Sequence, residues 1–435
     1  MPRRNAAPET SAPVAGNGMQ ALTLDCIAYH AGLHPADIAI IDKGRKVTYA
    51  RFYQDIGKFI RAVHDFGLNP GSRVAIEWTT IYTHWLLVLA FERHGIVTQT
   101  YTREFAHNNP ARLAAMDLII GTAGSIPAEA TNVRPLTKDW LDTVEAMVPD
   151  HDFRGPVLTP ETPLRLHYSS GTTGEQKAII RTARAQDFRF WLYQIKSGYS
   201  RNSRYLLTYG FSVQSIFGNA TACIRMGGTC IFTDENLISA IDAYGVTHIS
   251  MLPGRLTQLL DRLPDSYTKP DSLAVLAFGA KVSPALRERT LRTFASELID
   301  SYGTNETASI CTIGPDGTGM VLPGVTVEVV DDDDNPVTGR AGRVRIKSPG
   351  SIDGYDSDPE ATAKMFRDGW FYPGDLGILT SHRTLQLIGR ADDLLNIGGL
   401  KVNPNSIEES LRETNAVDDL CITTVDGVEG IPGTW

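Results

Sequence analysis

Short apolar segments alternate with segments of helical periodicity along most of the chain. Arg73–Trp78 is a short apolar segment and Ile96–Tyr101 is strand-like, each of the length expected for a strand, and Ile81–His94 between them carries apolar residues at helical spacing. The alternation continues through Met116–Gly121, Val246–Leu252, Ser272–Ala280, Pro284–Ser296 and Glu297–Tyr302. Strands separated by helices are typical of parallel sheets covered by helices. The pattern predicts an α/β fold whose large N-terminal domain consists of helix-covered, largely parallel sheets.

The pattern changes after about residue 321. Val325–Val330 and Arg343–Ser348 are rich in β-branched residues and flank a polar turn, which predicts an antiparallel hairpin. Ile378–Thr380 and Leu385–Ile388 predict a second β pair. Asn403–Glu413 has a proline near its start and acidic residues in its first turns, which predicts a helix.

These patterns divide the chain into parts. Residues 1–20 are rich in Pro, Ala, Gly and Asn and are predicted to form a disordered tail. Residues 21–391 form the large domain, with a β-rich subdomain at about 321–391. Residues 392–435 are interpreted as the start of a small α+β C-terminal domain that is incomplete in this chain.

Composition narrows the function classes. The 435 residues carry a net charge of −9, which argues against a sequence-independent grip on nucleic acid or anionic lipid. The apolar run Trp85–Phe91 is far too short to span a bilayer, and the N-terminus lacks the apolar segment of a secretory signal. The five cysteines are scattered and form no CxxC pair, which argues against a disulfide framework or a zinc knuckle. A cytoplasmic enzyme is therefore expected, with no nucleic-acid partner and no membrane span.

The most informative segment is Tyr168–Ile180, which reads YSSGTTGEQKAII. A loop dense in Gly, Ser and Thr can turn backbone N–H groups towards an anion, and its lysine adds a mobile positive charge. It lacks the GxxxxGK[ST] spacing of nucleoside triphosphatases, and a flexible Gly/Ser linker is the alternative interpretation. The candidate phosphate-binding residues are Ser169, Ser170, Gly171, Thr172, Thr173, Gly174 and Lys177.

This SSGTTGxxK loop resembles the signature loop of the AMP-forming adenylating superfamily, which includes acyl-CoA synthetases, adenylation domains of peptide synthetases and luciferases. Gln176 and Ala178 replace the usual Pro and Gly. Four further segments resemble the family's motifs in the family's order: AFGA at 277–280, DSYGTNETA at 300–308, GWFYPGDLG at 369–377 and IGRADDLLNIGGLKV at 388–402. The resemblance covers about residues 39–409 and is closest in type to acyl-CoA synthetases.

The resemblance implies ATP-dependent activation of a carboxylic acid to an acyl-AMP, with ATP, Mg²⁺ and coenzyme A as cosubstrates and cofactors. Lys177, Glu306 and Thr172 are the implied catalytic residues, and Glu306 is the implied Mg²⁺ ligand. Gly279 and Ala280 would lie along adenine, Asp300 at its amino group and Tyr302 stacked on it. Asn305 would lie near the α-phosphate, Asp375 at the ribose, and Arg390 at ribose and phosphate, and Gly303 and Thr304 are further implied nucleotide-binding residues. Asp392 would be the hinge of the small domain, and Gly399 would lie on the pantetheine tunnel. Asn305 stands where the family usually has Thr.

The resemblance also places the acyl pocket at Phe211, Ser212, Gly279 and Thr304. The stretch from Tyr209 to Ser212 lacks the aspartate with which amino-acid-activating relatives bind the substrate ammonium. It also lacks the histidine of many fatty-acyl and aryl relatives. A modest, uncharged aliphatic or aryl acid is therefore expected, and simple core packing is the alternative role for Phe211.

Two questions stay open at this level. The thiol acceptor is coenzyme A or the pantetheine arm of a carrier protein. The chain ends soon after Asp392 without a segment resembling the family's late catalytic lysine, so it is expected either to be part of a longer protein or to lack that lysine. The second case leaves a nucleotide-binding pseudoenzyme as an alternative.

Overall fold

The computed structural model describes residues 22–122, 124–169 and 176–392, together with short stretches at 395–397, 400–402, 407, 411, 422, 424–425 and 433–434. The helices are α1 (Thr23–Leu33), α2 (Tyr49–His64), α3 (Ile81–Arg93), α4 (Arg103–Asn108), α5 (Pro110–Ala114), α6 (Lys138–Glu145), α7 (Ala183–Ser197), α8 (Gln214–Arg225), α9 (Leu237–Ala243), α10 (Pro253–Asp261), α11 (Pro284–Thr293) and α12 (Pro359–Met365).

The strands up to residue 304 are β1 (Ile38–Asp42), β2 (Arg45–Thr48), β3 (Arg73–Glu77), β4 (Val97–Tyr101), β5 (Leu118–Gly121), β6 (Val133–Pro135), β7 (Pro163–Tyr168), β8 (Ala178–Thr182), β9 (Arg204–Leu206), β10 (Thr229–Phe232), β11 (His248–Met251), β12 (Ala274–Ala277) and β13 (Glu297–Thr304). The later strands are β14 (Ala308–Ile313), β15 (Thr318–Val321), β16 (Thr326–Val330), β17 (Ala341–Lys347), β18 (Phe366–Arg367), β19 (Trp370–Phe371), β20 (Asp375–Ser381), β21 (Thr384–Arg390), β22 (Leu395–Ile397), β23 (Leu400–Val402), β24 (Thr424–Val425) and β25 (Gly433–Thr434).

Short polar side chains start many of the helices. The hydroxyl oxygen of Thr48 accepts a hydrogen bond from the backbone N–H of Arg51, which satisfies a donor that the first turn of α2 leaves free. A different threonine caps each of α3, α4, α6 and α7 in the same way, and Ser283 caps α11. These caps fix where each helix begins and therefore where the preceding strand ends.

Two sheets organise the described residues. The smaller has the order β6-β5-β3-β4-β7-β8, parallel except for the antiparallel hairpin β7–β8. In the larger, β13-β12-β11-β9-β10-β1 run parallel, and the strands from β14 to β21 continue the sheet in antiparallel pairs, whereas β22–β23 and β24–β25 form separate two-stranded sheets. The predicted α/β class with largely parallel sheets is confirmed, as are the predicted β pairs, which appear as β16–β17 and β20–β21.

The main core lies between the two sheets. It joins Val74 and Ile76 on β3 to Ile40 on β1 and Tyr205 on β9, with Trp85 of α3 fully buried between them. Burying a large aromatic or branched side chain contributes about 1.5–3 kcal/mol, so this layer fixes the relative position of the sheets. The carboxyl ends of β4 and β7 in the smaller sheet and Ser212, which follows β9 of the larger sheet, border one cavity. Ligands usually bind at such strand ends in α/β folds.

Most of the predicted helix Asn403–Glu413 and most of the predicted C-terminal domain lie outside the described residues. The domain boundaries at 21, 321 and 392 stay predictions. The sequence did not predict where the strands of the hairpin β7–β8 begin and end. Arg165 and Arg181 interrupt the apolar pattern by which a buried strand is identified.

Candidate active site

The phosphate-loop segment sits at the end of the hairpin β7–β8. The two strands pair up to Tyr168 and Ala178, and the backbone N–H of Ser169 donates to the carbonyl of Lys177 at 2.9 Å. The N–H of Lys177 in turn donates to the Ser169 hydroxyl at 3.3 Å. Ser169 and Lys177 therefore form the base of the loop. Ser170, Gly171, Thr172, Thr173 and Gly174 lie outside the described residues, so their roles stay predictions.

A short series of contacts connects Lys177 to Glu306. The Lys177 ammonium lies 4.7 Å from the centre of the Tyr355 ring, a cation–π arrangement. The Tyr355 hydroxyl donates to the Glu306 carboxylate at 2.9 Å. The N–H of Asp356 donates to the carbonyl of Ala178 at 2.9 Å, which holds the Tyr355 segment against the base of the loop. Lys177 and the implied Mg²⁺ ligand are therefore brought together in space.

Glu306 lies in a tight turn between β13 and β14. The Thr304 hydroxyl accepts from the N–H of Thr307 at 3.1 Å, and Ala308 has a φ of 73°, a left-handed conformation that costs a non-glycine residue about 1 kcal/mol or more. A Cβ at Gly303 would lie 2.5 Å from the Ala308 carbonyl oxygen, so only glycine fits there. The turn presents Asn305 and Glu306 at the carboxyl end of β13.

Tyr302, Asp375 and Arg390 meet at the other end of this segment. Asp375 and Arg390 are cross-strand partners in the hairpin β20–β21, and their side chains approach to 3.7 Å. The Tyr302 hydroxyl donates to the other oxygen of the Asp375 carboxylate. Burial, followed by the nearby Asp375 charge, raises the pKa of the Tyr302 phenol well above its ordinary value. The structure thus brings the implied adenine and ribose residues into contact.

Asp300, Gly279 and Ala280 border the same strand ends. Asp300 is buried, and the Arg287 guanidinium lies 3.3 Å from its carboxylate. Burial raises the pKa of the Asp300 carboxyl, and the Arg287 charge opposes part of that effect. Gly279 has a φ of 83°, which favours glycine, and it is exposed together with Ala280 just after β12. Both can therefore offer backbone to a ligand.

The two acyl-segment residues have different surroundings. The Phe211 ring is fully buried and packs on Trp78, Trp85 and Phe217 at centroid distances of 4.9, 5.0 and 5.3 Å. Core packing, the alternative left open by the sequence, describes its position in this structure. Ser212 is exposed and lines a cavity of about 310 Å³.

Further polar residues near the site escaped the sequence analysis. Arg181 of β8 and Arg189 of α7 both donate to the backbone carbonyl of Asn305, at 2.8 and 2.9 Å. Arg181 also donates to the Gln214 amide oxygen at 2.6 Å and to a ring nitrogen of His167 at 2.8 Å. The available signal was a charged residue, Arg181, directly after the apolar residues of the segment AIIRT, because a buried strand seldom carries an arginine without a specific role.

The hinge and tunnel residues are only partly described. The side chain of Asp392 is 84% exposed, 4.0 Å from Arg390. Gly399 lies outside the described residues. Among the residues described, no group of three or more His, Cys, Asp or Glu side chains is arranged to hold a metal ion. In the same part of the chain, none of the helices combines the length and apolar character that crossing a bilayer requires.

Comparison with known proteins identifies the family to which the chain is similar. The family described as AMP-binding enzyme matches residues 27–356. The chain is 25% identical over 460 residues to a long-chain-fatty-acid–CoA ligase of Salmonella typhimurium, spanning 91% of this chain and 82% of the relative. It is 24% identical over 426 residues to an indoleacetate–CoA ligase of Aromatoleum aromaticum, spanning 90% of this chain and 83% of the relative.

Solved structures agree on the fold. O-succinylbenzoate coenzyme A synthetase from Bacillus subtilis in complex with AMP superposes with a TM-score of 0.80 at 20% identity, covering 94% of this chain and 87% of that one. MatB from Rhodopseudomonas palustris superposes with a TM-score of 0.79 at 20% identity, covering 95% and 88%. The family match spans most of the chain, and this protein therefore belongs to the AMP-binding enzymes.

Proposed function

We propose that this protein uses ATP to activate a carboxylic acid and then passes the acyl group to the thiol of coenzyme A. An oxygen of the acid's carboxylate attacks the α-phosphorus of ATP, the bond to the β-phosphate oxygen breaks, and pyrophosphate leaves. The thiolate then attacks the carbonyl carbon of the mixed anhydride, and AMP leaves with the bridging oxygen. The first step brings a negative carboxylate to the negative triphosphate of ATP, and the second brings a thiolate to the acyl carbonyl beside the negative AMP group. The protein therefore contributes by positioning these groups and by neutralising their charge.

One observation carries the proposal. The segment from Tyr302 to Glu306 contacts Asp375 at one end and, through Tyr355, the base of the phosphate loop at Lys177 at the other. A nucleotide laid along this segment would have its sugar near a carboxylate and its polyphosphate near a cation. The ribose hydroxyls of ATP could then donate hydrogen bonds to the carboxylate, and its negative polyphosphate would face the lysine ammonium.

The individual roles follow from these positions. The Asp375 carboxylate has two oxygens with which to accept from ribose hydroxyls. The Tyr302 ring offers a planar face to adenine. Lys177 would neutralise charge that develops on departing pyrophosphate, and Arg390, which is partly exposed beside Asp375, would reach the sugar and the α-phosphate.

The residues present are compatible with a magnesium ion at Glu306. One oxygen of its carboxylate accepts from Tyr355, and magnesium is commonly held by one or two carboxylates together with substrate phosphates and water. Bound magnesium would lower the charge of the polyphosphate. Glu306 would hold it, and Tyr355 would keep that carboxylate oriented.

The acid is proposed to be aliphatic or aryl, without an α-amino group. The Tyr209–Ser212 stretch provides no carboxylate for an ammonium. The relatives named above act on a long-chain fatty acid and on indoleacetate, both apolar acids. The same names favour coenzyme A over a carrier protein as the acceptor.

Isotope exchange of labelled pyrophosphate into ATP tests the first step. A panel of acetate, hexanoate, palmitate, benzoate, indoleacetate and alanine should give exchange that depends on one or more of the non-amino acids and not on alanine. Adding coenzyme A, or separately a phosphopantetheinylated carrier protein, then identifies the acceptor by the thioester formed. ATP that binds without exchange in the presence of any acid would instead favour a nucleotide-binding protein without catalysis.

A further inference from the structure

We infer that His167 donates the hydrogen bond that binds the reacting carboxylate of the acid, and that Arg181 fixes His167 in the tautomer required. This inference rests on the proposed function and adds a substrate-binding residue to it. His167 lies on β7, one residue before Tyr168, and only 5% of its surface is exposed. The residue is not part of any motif that carried the family resemblance.

The tautomer of His167 follows from its partner. A guanidinium can only donate hydrogen bonds, and an Arg181 amino group lies 2.8 Å from Nε2 of His167. Nε2 must therefore accept, so the proton of the neutral ring is on Nδ1. Burial, followed by the charges of Arg181 and Arg189, lowers the pKa of His167 well below its ordinary value and keeps the ring neutral.

The Nδ1–H group is left without a partner among the described residues. It is fully buried, and a buried donor without an acceptor costs about 1–3 kcal/mol. Such groups in native proteins usually have a partner that is supplied by solvent or ligand. His167 also lines the cavity of about 310 Å³, together with Ser212 of the acyl segment and with Tyr168 and Gln176 at the foot of the phosphate loop.

The buried positive charge around His167 favours an anion as that partner. Arg181 and Arg189 are 1% and 4% exposed, and in the part of the chain that the structure describes the hydrogen-bond partners of both are neutral groups. These partners include the Asn305 carbonyl. Buried cations without a counter-ion are costly, and a bound carboxylate would offset that cost.

The position also suits the reaction. The same nitrogen of Arg181 lies 2.8 Å from His167 and 2.8 Å from the carbonyl of Asn305, the residue before Glu306. A carboxylate held by Nδ1–H would lie in the cavity that His167 shares with Ser212 of the acyl segment and with Gln176 at the foot of the phosphate loop.

Two matched substitutions separate the donor from the packing. In His167→Gln, the side-chain oxygen can occupy the Nε2 position and accept from Arg181, but no N–H remains at the Nδ1 position. In His167→Asn, the amide nitrogen occupies the Nδ1 position and keeps the donor. Loss of one hydrogen bond to a charged group corresponds to a fall of about 10- to 100-fold, which is expected in kcat/KM for the acid with His167→Gln. His167→Asn should stay within about fivefold of the unsubstituted protein.

The measurement is acid-dependent pyrophosphate exchange, with ATP affinity from calorimetry and the thermal midpoint as controls for folding. ATP affinity should be equal in both variants and the unsubstituted protein. The loss in His167→Gln should be the same for hexanoate and adipate, because both present one reacting carboxylate. Equal acid kinetics in His167→Gln and the unsubstituted protein would overturn the inference, as would a loss confined to the diacid. If the unsubstituted protein exchanges with no acid, the proposed function itself fails.

Discussion

Asp375→Asn is the most informative test of the proposal that the Asp375 carboxylate binds the ribose of ATP. The side chain is only 13% exposed, and its carboxylate accepts from Tyr302 and faces Arg390. Asparagine preserves the shape but removes the charge and replaces one acceptor oxygen by a donor. A hydrogen bond to a charged group contributes about 1.5–3 kcal/mol, and two ribose hydroxyls would each make one.

The net loss is smaller than the sum of those two bonds. Tyr302 and Arg390 already engage the carboxylate without nucleotide, so part of its charge is compensated before ATP binds. A loss of about 3 kcal/mol is therefore expected, which corresponds to ATP binding weakened by about 100-fold. Isothermal calorimetry with ATP and magnesium measures it directly.

Substitutions of Tyr302 provide the matched control. Tyr302→Phe removes only the hydroxyl and should leave ATP affinity within about threefold, because the aromatic face remains. Tyr302→Leu removes that face, and stacking of a base on an aromatic ring contributes about 1–3 kcal/mol, so about tenfold weaker binding is expected. If Asp375→Asn binds ATP as tightly as the unsubstituted protein while keeping its thermal midpoint, the ribose assignment is wrong.

Three further changes test other parts of the account. Lys177→Met should raise the KM for ATP and lower the exchange rate by about 10- to 100-fold, because it removes the cation beside Tyr355; exchange kinetics at fixed magnesium would show this, and unchanged rates would contradict it. Burial raises the pKa of Glu92 from 4.5 to about 7, so the stability associated with its bound proton is complete below pH 4.5 and is lost as the pH rises to 7. Glu92→Gln should therefore gain up to about 3 kcal/mol over the unsubstituted protein at pH 8 and nothing at pH 4.5, measured by urea unfolding at both pH values. Gly303→Ala should destabilise the protein by about 2 kcal/mol or more because its Cβ would meet the Ala308 carbonyl, and a thermal midpoint equal to that of the unsubstituted protein would refute the tight turn.

The sequence predicted the parts of the fold that follow from periodicity. The helix over Ile81–Arg93 and the parallel strands beside it appeared as expected, because an apolar face with the period of a helix or strand must be buried. The hairpin β16–β17 followed from two β-branched runs around a polar turn. Local pattern and tertiary structure agree in these segments, so no long-range information was needed.

The contacts within the site required tertiary structure. The motif resemblance named Lys177, Glu306 and Asp375, but nothing local to these residues predicts that Tyr355 lies between the first two. Arg181 and His167 were missed because polar or charged residues in a buried strand interrupt the apolar pattern by which such a strand is identified. Only the pairing of β7 with β8 and the approach of the Asn305 turn show where their hydrogen bonds go.

The most direct test of the central claim follows the atoms of the acid itself. The protein is incubated with ATP, magnesium, coenzyme A and an acid from the exchange panel whose two carboxylate oxygens are ¹⁸O, and the AMP is then analysed by mass spectrometry. Attack of the carboxylate on the α-phosphorus predicts one ¹⁸O atom in each AMP formed. AMP that carries no label, or label found in inorganic phosphate instead, would contradict the mechanism.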